Sequence, residues 1–313
     1  MASAGTALQG LWVELLTPLN EDLLIHHAKL STHVQTLGAK GVQGVVMFSH
    51  VGEGDSFNAA ERLDAVKQLM AHGVAGKDIL LHAAFANLTD TVKLIRDSHD
   101  WGLKGYILTP PPAGPEATDQ GLVNFFGHIV QKVEPMGVKL YLASQVHPGP
   151  ADLNPRVLSE LLDKHGGVFQ GLIDQSHNAS HTMDWVRSFL PKIPVISNQD
   201  MNAHALANLG LHTTLSSYAN LLPLLMERMV VSSAAQKVSV AGNKIGADDQ
   251  RLEEFDRMIQ GLPEVPALKY LMATAYRDAD WLRVRPPLAV LNAQTQEKLN
   301  KDFKKYNQAS EAR

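Results

Sequence analysis

The sequence predicts an α/β fold, a (β/α)8 TIM barrel followed by a C-terminal helical region. Eight short apolar runs lie before Asn220, as expected of strands that are buried on both faces. Longer amphipathic segments separate these runs, which is the pattern of βα units, and eight such units match a barrel of about 250 residues. After Asn220 the strand-like runs stop and only helix-like segments follow. A doubly wound open sheet is the alternative fold.

The elements follow one another in a regular order. The segment NPRVLSELLDKHG has a Pro near its start and a Gly at its end, the positions these residues commonly take in helices. Three segments after Asn220 read as helices: LPLLMERMVVSSAAQKV, DDQRLEEFDRMIQGL and PALKYLMATAYR. We therefore expect the barrel at residues 1–225 and the helical region at residues 226–313. The eight predicted strands are LWVELLTPL, VQGVVMFSH, DILLHAAFA, LKGYILTPPP, VKLYLAS, FQGLIDQS, IPVISNQD and HTTLSSYAN.

Composition excludes several classes of function. Apolar residues make up 45% of the chain and charged residues 19%, so the chain should fold throughout. The net charge is −4 and the basic residues are scattered, which disfavours nucleic acid or an anionic membrane as a partner. The chain has no cysteine, which excludes disulfides and thiolate chemistry and fits the cytoplasm. No uncharged apolar run approaches the roughly 20 residues of a membrane span. Because nucleic acid and membranes are disfavoured, we expect the partner to be a small molecule.

The turn after the second strand is one candidate site. It reads Ser49-His50-Val51-Gly52, and Gly52 permits a tight turn in which successive backbone N–H groups form an anion-binding concavity. His50 is a candidate acid, base or ligand, although a single loop histidine also serves as a hydrogen-bonded bystander. The carboxyl ends of barrel strands are where catalytic groups lie, so this turn is placed for function.

Glu14 interrupts the otherwise apolar first strand. A carboxylate inside a barrel is costly unless it is protonated or matched by a cation. We therefore expect Glu14 either to have a partner or to point outward.

Several motifs occur in a recognisable order. GLWVELLTPLNED carries a Thr-Pro, FSHVGE is followed by Glu61 and Arg62, and NLTDTV is followed by LTPPP. The tail contains EVPALKYLMATA and then VRPPLAVLNAQTQEKL. In this order and spacing the chain resembles, over nearly its whole length, the dihydrodipicolinate synthase and N-acetylneuraminate lyase family of pyruvate-handling aldolases. The resemblance implies a TIM barrel that assembles as a homodimer or homotetramer and takes a small carboxylate or oxo-acid.

The resemblance also implies a Schiff base between pyruvate and a lysine at the end of strand six. Family strands read Val-Gly-Ile-Lys-Glu-Ala-Ser there, and QGLIDQS puts Ile173 at the lysine position. A shift in alignment supplies no amine, because no lysine lies between Lys164 and Lys192. The ordinary synthase and sialic acid lyase activities are therefore predicted to be absent.

Other positions depart from the family pattern too. The paired threonines of the family's turn are replaced by His50 and Val51. In one alignment Tyr141 matches the family's proton-handling tyrosine, whereas in another alignment Ala143 occupies that position. From these positions we predict Tyr141, His50 and Glu14 as catalytic residues. The predicted ligand-binding residues are Ser49, Val51, Gly52, Ser144, Gly171 and Leu215.

Two substitutes for the missing amine can be considered. Lys139 points to the same side of its strand as Tyr141, so it is a candidate relocated nucleophile with Glu14 as its ion-pair partner, although a lysine at a strand's start also reaches solvent. A metal ion would polarise a keto group, and His50, Glu14, Asp174 and His177 carry suitable atoms. Their spacing has no metal-site signature, so no metal and no other cofactor is predicted.

Two hypotheses for function follow. In the first, the protein is a lyase, aldolase or hydratase that handles an oxo-acid in an altered pocket. In the second, it is catalytically inactive and acts as a small-molecule-binding or assembly protein. The first is preferred, because turn and strand lengths persist while the polarity of the pocket changes.

Overall fold

The chain folds as a closed barrel of eight parallel strands, which confirms the predicted TIM barrel. The computed structural model describes residues 8–112, 116–144, 152–207, 209–235 and 246–311. Each strand pairs with the next along the chain, and the last pairs with the first. The strands are β1 (Gly10–Glu14), β2 (Gly44–Met47), β3 (Ile79–His82), β4 (Gly105–Leu108), β5 (Leu140–Ala143), β6 (Phe169–Asp174), β7 (Val195–Ser197) and β8 (Thr213–Ser216).

Helices follow the strands and cover the outer face of the barrel. The barrel helices are α1 (His27–Gly38), α2 (Ala59–Ala71), α3 (Leu88–Ser98), α4 (Asp119–Val133), α5 (Pro155–His165), α6 (Ala179–Phe189), α7 (Ala203–Ala207) and α8 (Pro223–Ala235). The C-terminal helical region contains α9 (Ala247–Ile259), α10 (Glu264–Tyr276) and α11 (Ala293–Glu311). No helix in the described ranges is both long enough and apolar enough to cross a bilayer.

The predicted domain boundary at residue 225 falls within α8. This helix follows β8 and contacts β1 and β8, so it completes the ring of helices around the barrel. The division into residues 1–225 and 226–313 stays a prediction.

The interior of the barrel is a packed apolar core, separate from the larger core between strands and helices. Trp12 belongs to this interior, and because side chains alternate along a strand, Glu14 shares its face. The sequence left open whether Glu14 points inward, and the structure places it inside. The interior cluster consists of Leu8, Trp12, Val46, Leu80, Ile107, Tyr141, Ala143, Ile173, Ile196 and Leu215.

Two glycines make room for the ring of Tyr141. A Cβ atom on Gly105 of β4 would lie 2.7 Å from this ring, and one on Gly171 of β6 would lie 3.0 Å from it. These glycines lie on the two strands that flank Tyr141 on β5. The ring therefore fills the space that side chains on the neighbouring strands would otherwise occupy.

A buried ion pair joins the C-terminal helical region to the barrel. Glu53, in the loop after β2, pairs with Lys269 of α10, and neither side chain is exposed. The Lys269 Nζ atom also donates to the carbonyl oxygen of Arg283 at 2.6 Å, and Glu53 Oε2 accepts from the backbone N–H of Arg285 at 2.7 Å. Glu53 has a left-handed backbone, φ 57°, which is unfavourable for a residue with a side chain unless its surroundings hold it.

The side chain of Arg285 extends this connection. Its guanidinium donates to the carbonyl oxygens of Leu23 at 2.9 Å and Ser56 at 2.7 Å, and to the carboxylate of Glu61 at 2.5 Å. It also lies 4.1 Å from the centre of the Phe57 ring. Arg285, which lies beyond the end of α10, thus bonds by itself to three segments of the barrel.

We expect Lys269→Met to destabilise the protein strongly. Removing one member of a buried ion pair leaves the other charge without a partner, which costs about 3–5 kcal/mol in the free energy of unfolding. Urea unfolding would measure this change. The matched control is Lys93→Met, because Lys93 pairs with Asp97 on an exposed surface and its replacement should change little. Equal stability of Lys269→Met and wild type would show that the pair does not hold the two parts together.

Candidate active site

A cavity of about 820 Å³ opens at the carboxyl ends of the strands. Its walls come from the segments after β2, β6, β7 and β8 on one side and from α9 and the start of α10 on the other. This is the end of the barrel at which enzymes of this fold carry their active sites. The described lining residues are His50, Ser176, His177, Asn198, Gln199, Asp200, Met201, Asn202, Ser217, Tyr218, Asp256, Ile259, Gln260, Leu262, Pro263, Glu264, Val265, Pro266 and Leu288.

Negative charge dominates the lining. Asp200, Asp256 and Glu264 contribute carboxylates, and none of the described lining residues is a lysine or an arginine. The basic side chains among them are the imidazoles of His50 and His177.

Glu14 lies inside the barrel beneath this cavity; it is not among the lining residues and reaches the cavity wall through Asn198. Only 4% of the residue is exposed, and its Oε2 atom is 3.5 Å from the side-chain amide of Asn198, which lines the cavity. Burial, together with the charges of Glu264 and Asp200, raises the pKa of Glu14 to about 8, and the Asn198 amide and the Ser49 hydroxyl only partly oppose this shift. The sequence required a partner for an inward carboxylate, and the groups that oppose the shift are neutral, an amide and a hydroxyl, rather than a cation. Glu14 therefore exchanges its proton near neutral pH.

Asp200, in the lining of the cavity, is a second carboxylate whose pKa is raised. Burial raises the pKa of Asp200 to about 7, and the charge of Glu264 adds to the shift. Its Oδ2 atom accepts from the Ser217 hydroxyl and from the backbone N–H of Tyr218, each at 3.3 Å. The Ser217 oxygen is also 2.8 Å from Glu264 Oε1. Asp200 and Glu264 therefore face each other across one hydroxyl group.

Ile173 lies at the end of β6 in apolar surroundings. It is fully buried in the interior cluster, where it pairs with Ala143 on β5 and Ile196 on β7. Tyr141 pairs instead with Gly171, two residues before Ile173 on β6. At the level of Ile173, the residue on the neighbouring strand is Ala143, and Tyr141 lies one interior layer below.

The hydroxyl of Tyr141 is enclosed by the barrel core. It is buried and has no hydrogen-bond partner among the described residues, and burial raises its pKa. Tyr141 does not line the cavity, so a catalytic role for it stays a prediction.

The turn after β2 contributes one predicted residue to the cavity wall. His50 lines the cavity, whereas Ser49 and Val51 are buried beside it. The carbonyl oxygen of Gly52 accepts from Thr17 Oγ1 at 2.8 Å, so this residue connects the turn to the segment after β1. The ligand-binding roles predicted for Ser49, Val51 and Gly52 stay predictions.

The three other predicted ligand-binding residues lie deeper. Ser144 Oγ accepts from the backbone N–H of Gln175 at 2.8 Å, which joins the ends of β5 and β6. Gly171 faces the Tyr141 ring, and Leu215 belongs to the interior cluster. None of the three lines the cavity among the described residues, and their roles also stay predictions.

Lys139 lies at the opposite end of the barrel from the cavity. Lys139 immediately precedes β5, and Lys104 precedes the neighbouring parallel strand β4. The two lysines are close enough for the charge of Lys139 to add to burial in lowering the pKa of Lys104. Glu14 ends β1 at the other end, so the ion pair considered between Glu14 and Lys139 is wrong.

The candidate metal ligands are not brought together. Asp174 is fully buried and accepts from the backbone N–H of Ser176 and from the Thr182 hydroxyl, and its Oδ1 atom lies 3.0 Å from His181 Nδ1. Within the part of the chain that the structure describes, no three acidic or histidine side chains form a group that could hold a metal ion.

Sequence reasoning missed the residues that give the cavity its charge. Asp200 ends the segment IPVISNQD, which was recognised as a strand, but its polar end received no role. Glu264 and Asp256 lie in helices of the C-terminal region, 64 and 56 positions further along the chain. The available signal was the polar run Ser197-Asn198-Gln199-Asp200 at a strand's carboxyl end.

The fold and the site define a (β/α)8-barrel protein with a cavity at the carboxyl ends of its strands, walled on one side by C-terminal helices. The model of the dihydrodipicolinate synthetase family matches residues 7–306, so the chain belongs to this family. It is 25% identical over 287 residues to 2-dehydro-3-deoxy-phosphogluconate/2-dehydro-3-deoxy-6-phosphogalactonate aldolase of Saccharolobus solfataricus, covering 92% of both chains.

Solved structures share the same fold. Dihydrodipicolinate synthase from Agrobacterium tumefaciens superposes with a TM-score of 0.85 at 21% identity, over 96% of this chain and 99% of that one. The Sulfolobus 2-keto-3-deoxygluconate aldolase in complex with D-KDPG gives a TM-score of 0.82 at 22% identity, over 96% and 97%. At these identities the likeness shows the barrel architecture.

The raised pKa of Glu14 predicts how its replacement affects stability at different pH values. The folded state keeps the Glu14 proton up to about pH 8, whereas the unfolded chain loses it near pH 4.5, the ordinary pKa of a glutamate. Folding therefore takes up a proton between these values, and the contribution of Glu14 to stability falls as pH rises through this window. Relative to wild type, Glu14→Gln should gain on the order of 3 kcal/mol in the free energy of unfolding between about pH 5 and about pH 8.

Denaturant unfolding at both pH values would measure this gain. The matched control is Glu297→Gln on the exposed face of α11, which should show no such change with pH. A difference between Glu14→Gln and wild type that does not vary with pH would contradict the shifted pKa.

Proposed function

We propose that the protein is a lyase-type enzyme that handles a small oxo-acid in the cavity without a Schiff base, using Glu14 as general acid and base. The observation that carries the proposal is the buried Glu14 carboxyl group, whose pKa of about 8 lies near a working pH. A general acid or base is most effective when its pKa is close to that pH.

The position of Ile173 supports a mechanism without a bound amine. The resemblance puts the Schiff-base lysine there, and isoleucine carries no nucleophile. No lysine is among the described residues that line the cavity, and Lys139 lies at the other end of the barrel. These observations favour proton transfer over covalent catalysis.

The chemistry open to Glu14 is proton transfer next to a carbonyl group. Its carboxylate form takes a proton from the carbon beside the keto group, and its neutral form returns one. Because the groups that act on Glu14 are an amide, a hydroxyl and two carboxylates, a change in the charge of the ligand will shift its proton affinity. The oxo-acid is proposed because the relatives' names refer to 2-keto sugar acids and to their aldolases.

The second hypothesis is a catalytically inactive binding protein. It is favoured by the Tyr141 hydroxyl, which is enclosed without a hydrogen-bond partner among the described residues and so does not serve proton transfer as placed. A cytoplasmic location and a homodimeric or homotetrameric state belong to both hypotheses as predictions.

Borohydride trapping tests for the absence of a Schiff base. Wild type incubated with pyruvate and borohydride should show no covalent adduct in its intact mass. Ile173→Lys should form one, because an amine in this apolar position is held partly neutral and therefore nucleophilic. Ile173→Leu is the matched control and should behave like wild type. An adduct on any lysine of the wild type, including Lys139, would overturn the proposal.

Hydrogen exchange tests the role of Glu14. In D2O, wild type should accelerate deuterium incorporation beside the keto group of at least one member of a panel of 2-oxo acids, followed by NMR. Glu14→Gln should reduce the rate by about 10²–10⁴-fold, the usual contribution of general acid–base catalysis. Glu297→Gln should exchange like wild type. Binding of a panel member without accelerated exchange would support the binding-protein hypothesis instead.

A further inference from the structure

The side chains inside the barrel lie in layers of four, and the register of the strands shows which residues share a layer. In a barrel of this shear the level rises by about one residue per strand, so each layer takes its side chains from alternate strands. One layer, from the odd-numbered strands, consists of Trp12, Leu80, Tyr141 and Ile196. The layer above it, from the even-numbered strands, consists of Val46, Ile107, Ile173 and Leu215. These two layers form most of the interior cluster.

A third layer, here called the upper layer, lies above these two at the carboxyl end of the barrel. It comes from the odd-numbered strands again and consists of Glu14, His82, Ala143 and Asn198. His82 ends β3 and pairs with Ile107 on β4, so its side chain points to the interior as that of Ile107 does. The contact between Glu14 and the Asn198 amide at 3.5 Å joins two neighbours in this layer. The sequence therefore places an imidazole next to Glu14 on its other side.

His82 is the member of the upper layer that is most open to solvent. It is partly exposed, whereas Glu14, Ala143 and Asn198 are 4%, 0% and 5% exposed. Its backbone is held in the sheet, and its carbonyl oxygen accepts from Arg62 Nη1 at 2.8 Å, so the exposed part is the imidazole. The imidazole makes no hydrogen bond to another residue within the described ranges. A ligand can therefore use it.

The imidazole of His82 is neutral. Burial inside the barrel and the charge of Arg62 lower the pKa of His82 to about 3. A neutral imidazole has one N–H donor, and it can polarise a carbonyl group without giving up its proton. The positive charge that disfavours the imidazolium form also favours a negative oxygen beside the ring.

His82 and Glu14 point into the same space. Only β2 separates their strands, which in an eight-stranded barrel puts their Cα atoms roughly 10 Å apart. Both side chains point toward the barrel axis, so a small group between them can contact the carboxyl group and the imidazole together. Ala143 has no polar side-chain atom, and the Asn198 amide is already directed to Glu14. Within the upper layer, His82 is therefore the donor that is available to a ligand.

We propose that His82 is a further catalytic residue, which donates a hydrogen bond to the keto oxygen of the substrate while Glu14 moves the proton. The reaction itself rests on the proposed function. The Glu14 carboxylate takes a proton from the carbon beside the keto group, the electron pair of that C–H bond forms a C=C bond, and the π pair of the C=O bond moves to oxygen. The His82 N–H bonds to the resulting enolate oxygen and keeps its own proton. Return of the proton from Glu14 reverses these changes.

Such a donor is needed because the enolate oxygen has no cationic side chain to bond to. No lysine or arginine is among the described residues that line the cavity, and Ile173 carries no amine. A fixed donor acts on the charge that develops in the transition state, and removing one typically costs about 10²–10³-fold in rate.

Two substitutions of His82 test this role through deuterium exchange of 2-oxo acids. His82→Leu, which has no donor, should lower the rate at saturating substrate about 10²-fold and change the half-saturating concentration little. His82→Gln should recover part of this loss, because its amide can donate to the same oxygen. The matched control is His128→Leu on the exposed face of α4, which should exchange like wild type. Wild-type rates in His82→Leu, or a loss only in the half-saturating concentration, would overturn the inference.

Nuclear magnetic resonance of the ring nitrogens gives a second readout that does not depend on turnover. In protein with ¹⁵N-labelled histidine, the ring signal that is missing from His82→Gln belongs to His82. It should show a neutral imidazole from about pH 5 to about pH 8. Pyruvate, or another 2-oxo acid of the panel, should shift this signal and leave that of His128 in place. Absence of a shift with every member of the panel would overturn the inference.

The two readouts separate this inference from the proposed function. A shifted His82 signal without catalysed exchange would retain His82 as a donor to the ligand and reject the enzyme. Catalysed exchange that depends on Glu14 but not on His82 would retain the enzyme and reject the role of His82.

Discussion

The buried pair of Glu53 and Lys269 is the contact on which the arrangement of the site depends. Such pairs add little net stability, because removing two charges from water offsets most of their attraction. The pair of Glu53 and Lys269 instead fixes the C-terminal region relative to the barrel. Glu53 is held at a left-handed backbone angle by bonds to Lys269 and to the backbone of Arg285, so the loop after β2 and the C-terminal region are fixed as one unit.

Because Lys269 lies on α10, the pair also fixes the residues at the start of this helix that line the cavity. Lys269 and Glu264 are five residues apart on this helix, which corresponds to about 7.5 Å along its axis. Anchoring Lys269 therefore determines where Glu264 stands relative to Ser217 and Asp200. The raised pKa values of Asp200 and Glu14 depend in part on the charge of Glu264, so a structural contact on the barrel's rim also adjusts the proton affinity of groups inside it.

The fold could be predicted from the sequence because its signals are local. Each apolar run such as DILLHAAFA or IPVISNQD contains a strand, and the loss of strand-like runs after Asn220 coincides with the end of β8 at Ser216. Glu14 could be singled out because a carboxylate in an apolar strand is a local anomaly. The pairing of Ile173 with Ala143 could not be predicted, since register across two strands depends on packing inside the closed barrel.

The two carboxylates that meet in the cavity, Asp200 and Glu264, were not predictable for a related reason. Asp200 and Glu264 look ordinary in their own segments, and only the closure of α10 over the ends of β7 and β8 brings them to one hydroxyl group. Their effect on pKa arises from burial and proximity together, and neither can be obtained from spacing along the chain.

The cavity wall combines the loops at the carboxyl ends of the barrel strands with helices of the C-terminal region. Glu14 lies on β1, deep in the barrel, whereas α9 and the start of α10, which form the other wall of the cavity, lie outside it. Residues of these helices can therefore change through evolution without altering the packing beneath Glu14. Exchange of this cover would therefore change the wall of the cavity while leaving the barrel interior in place, and it would reach Glu14 only through the charge of Glu264.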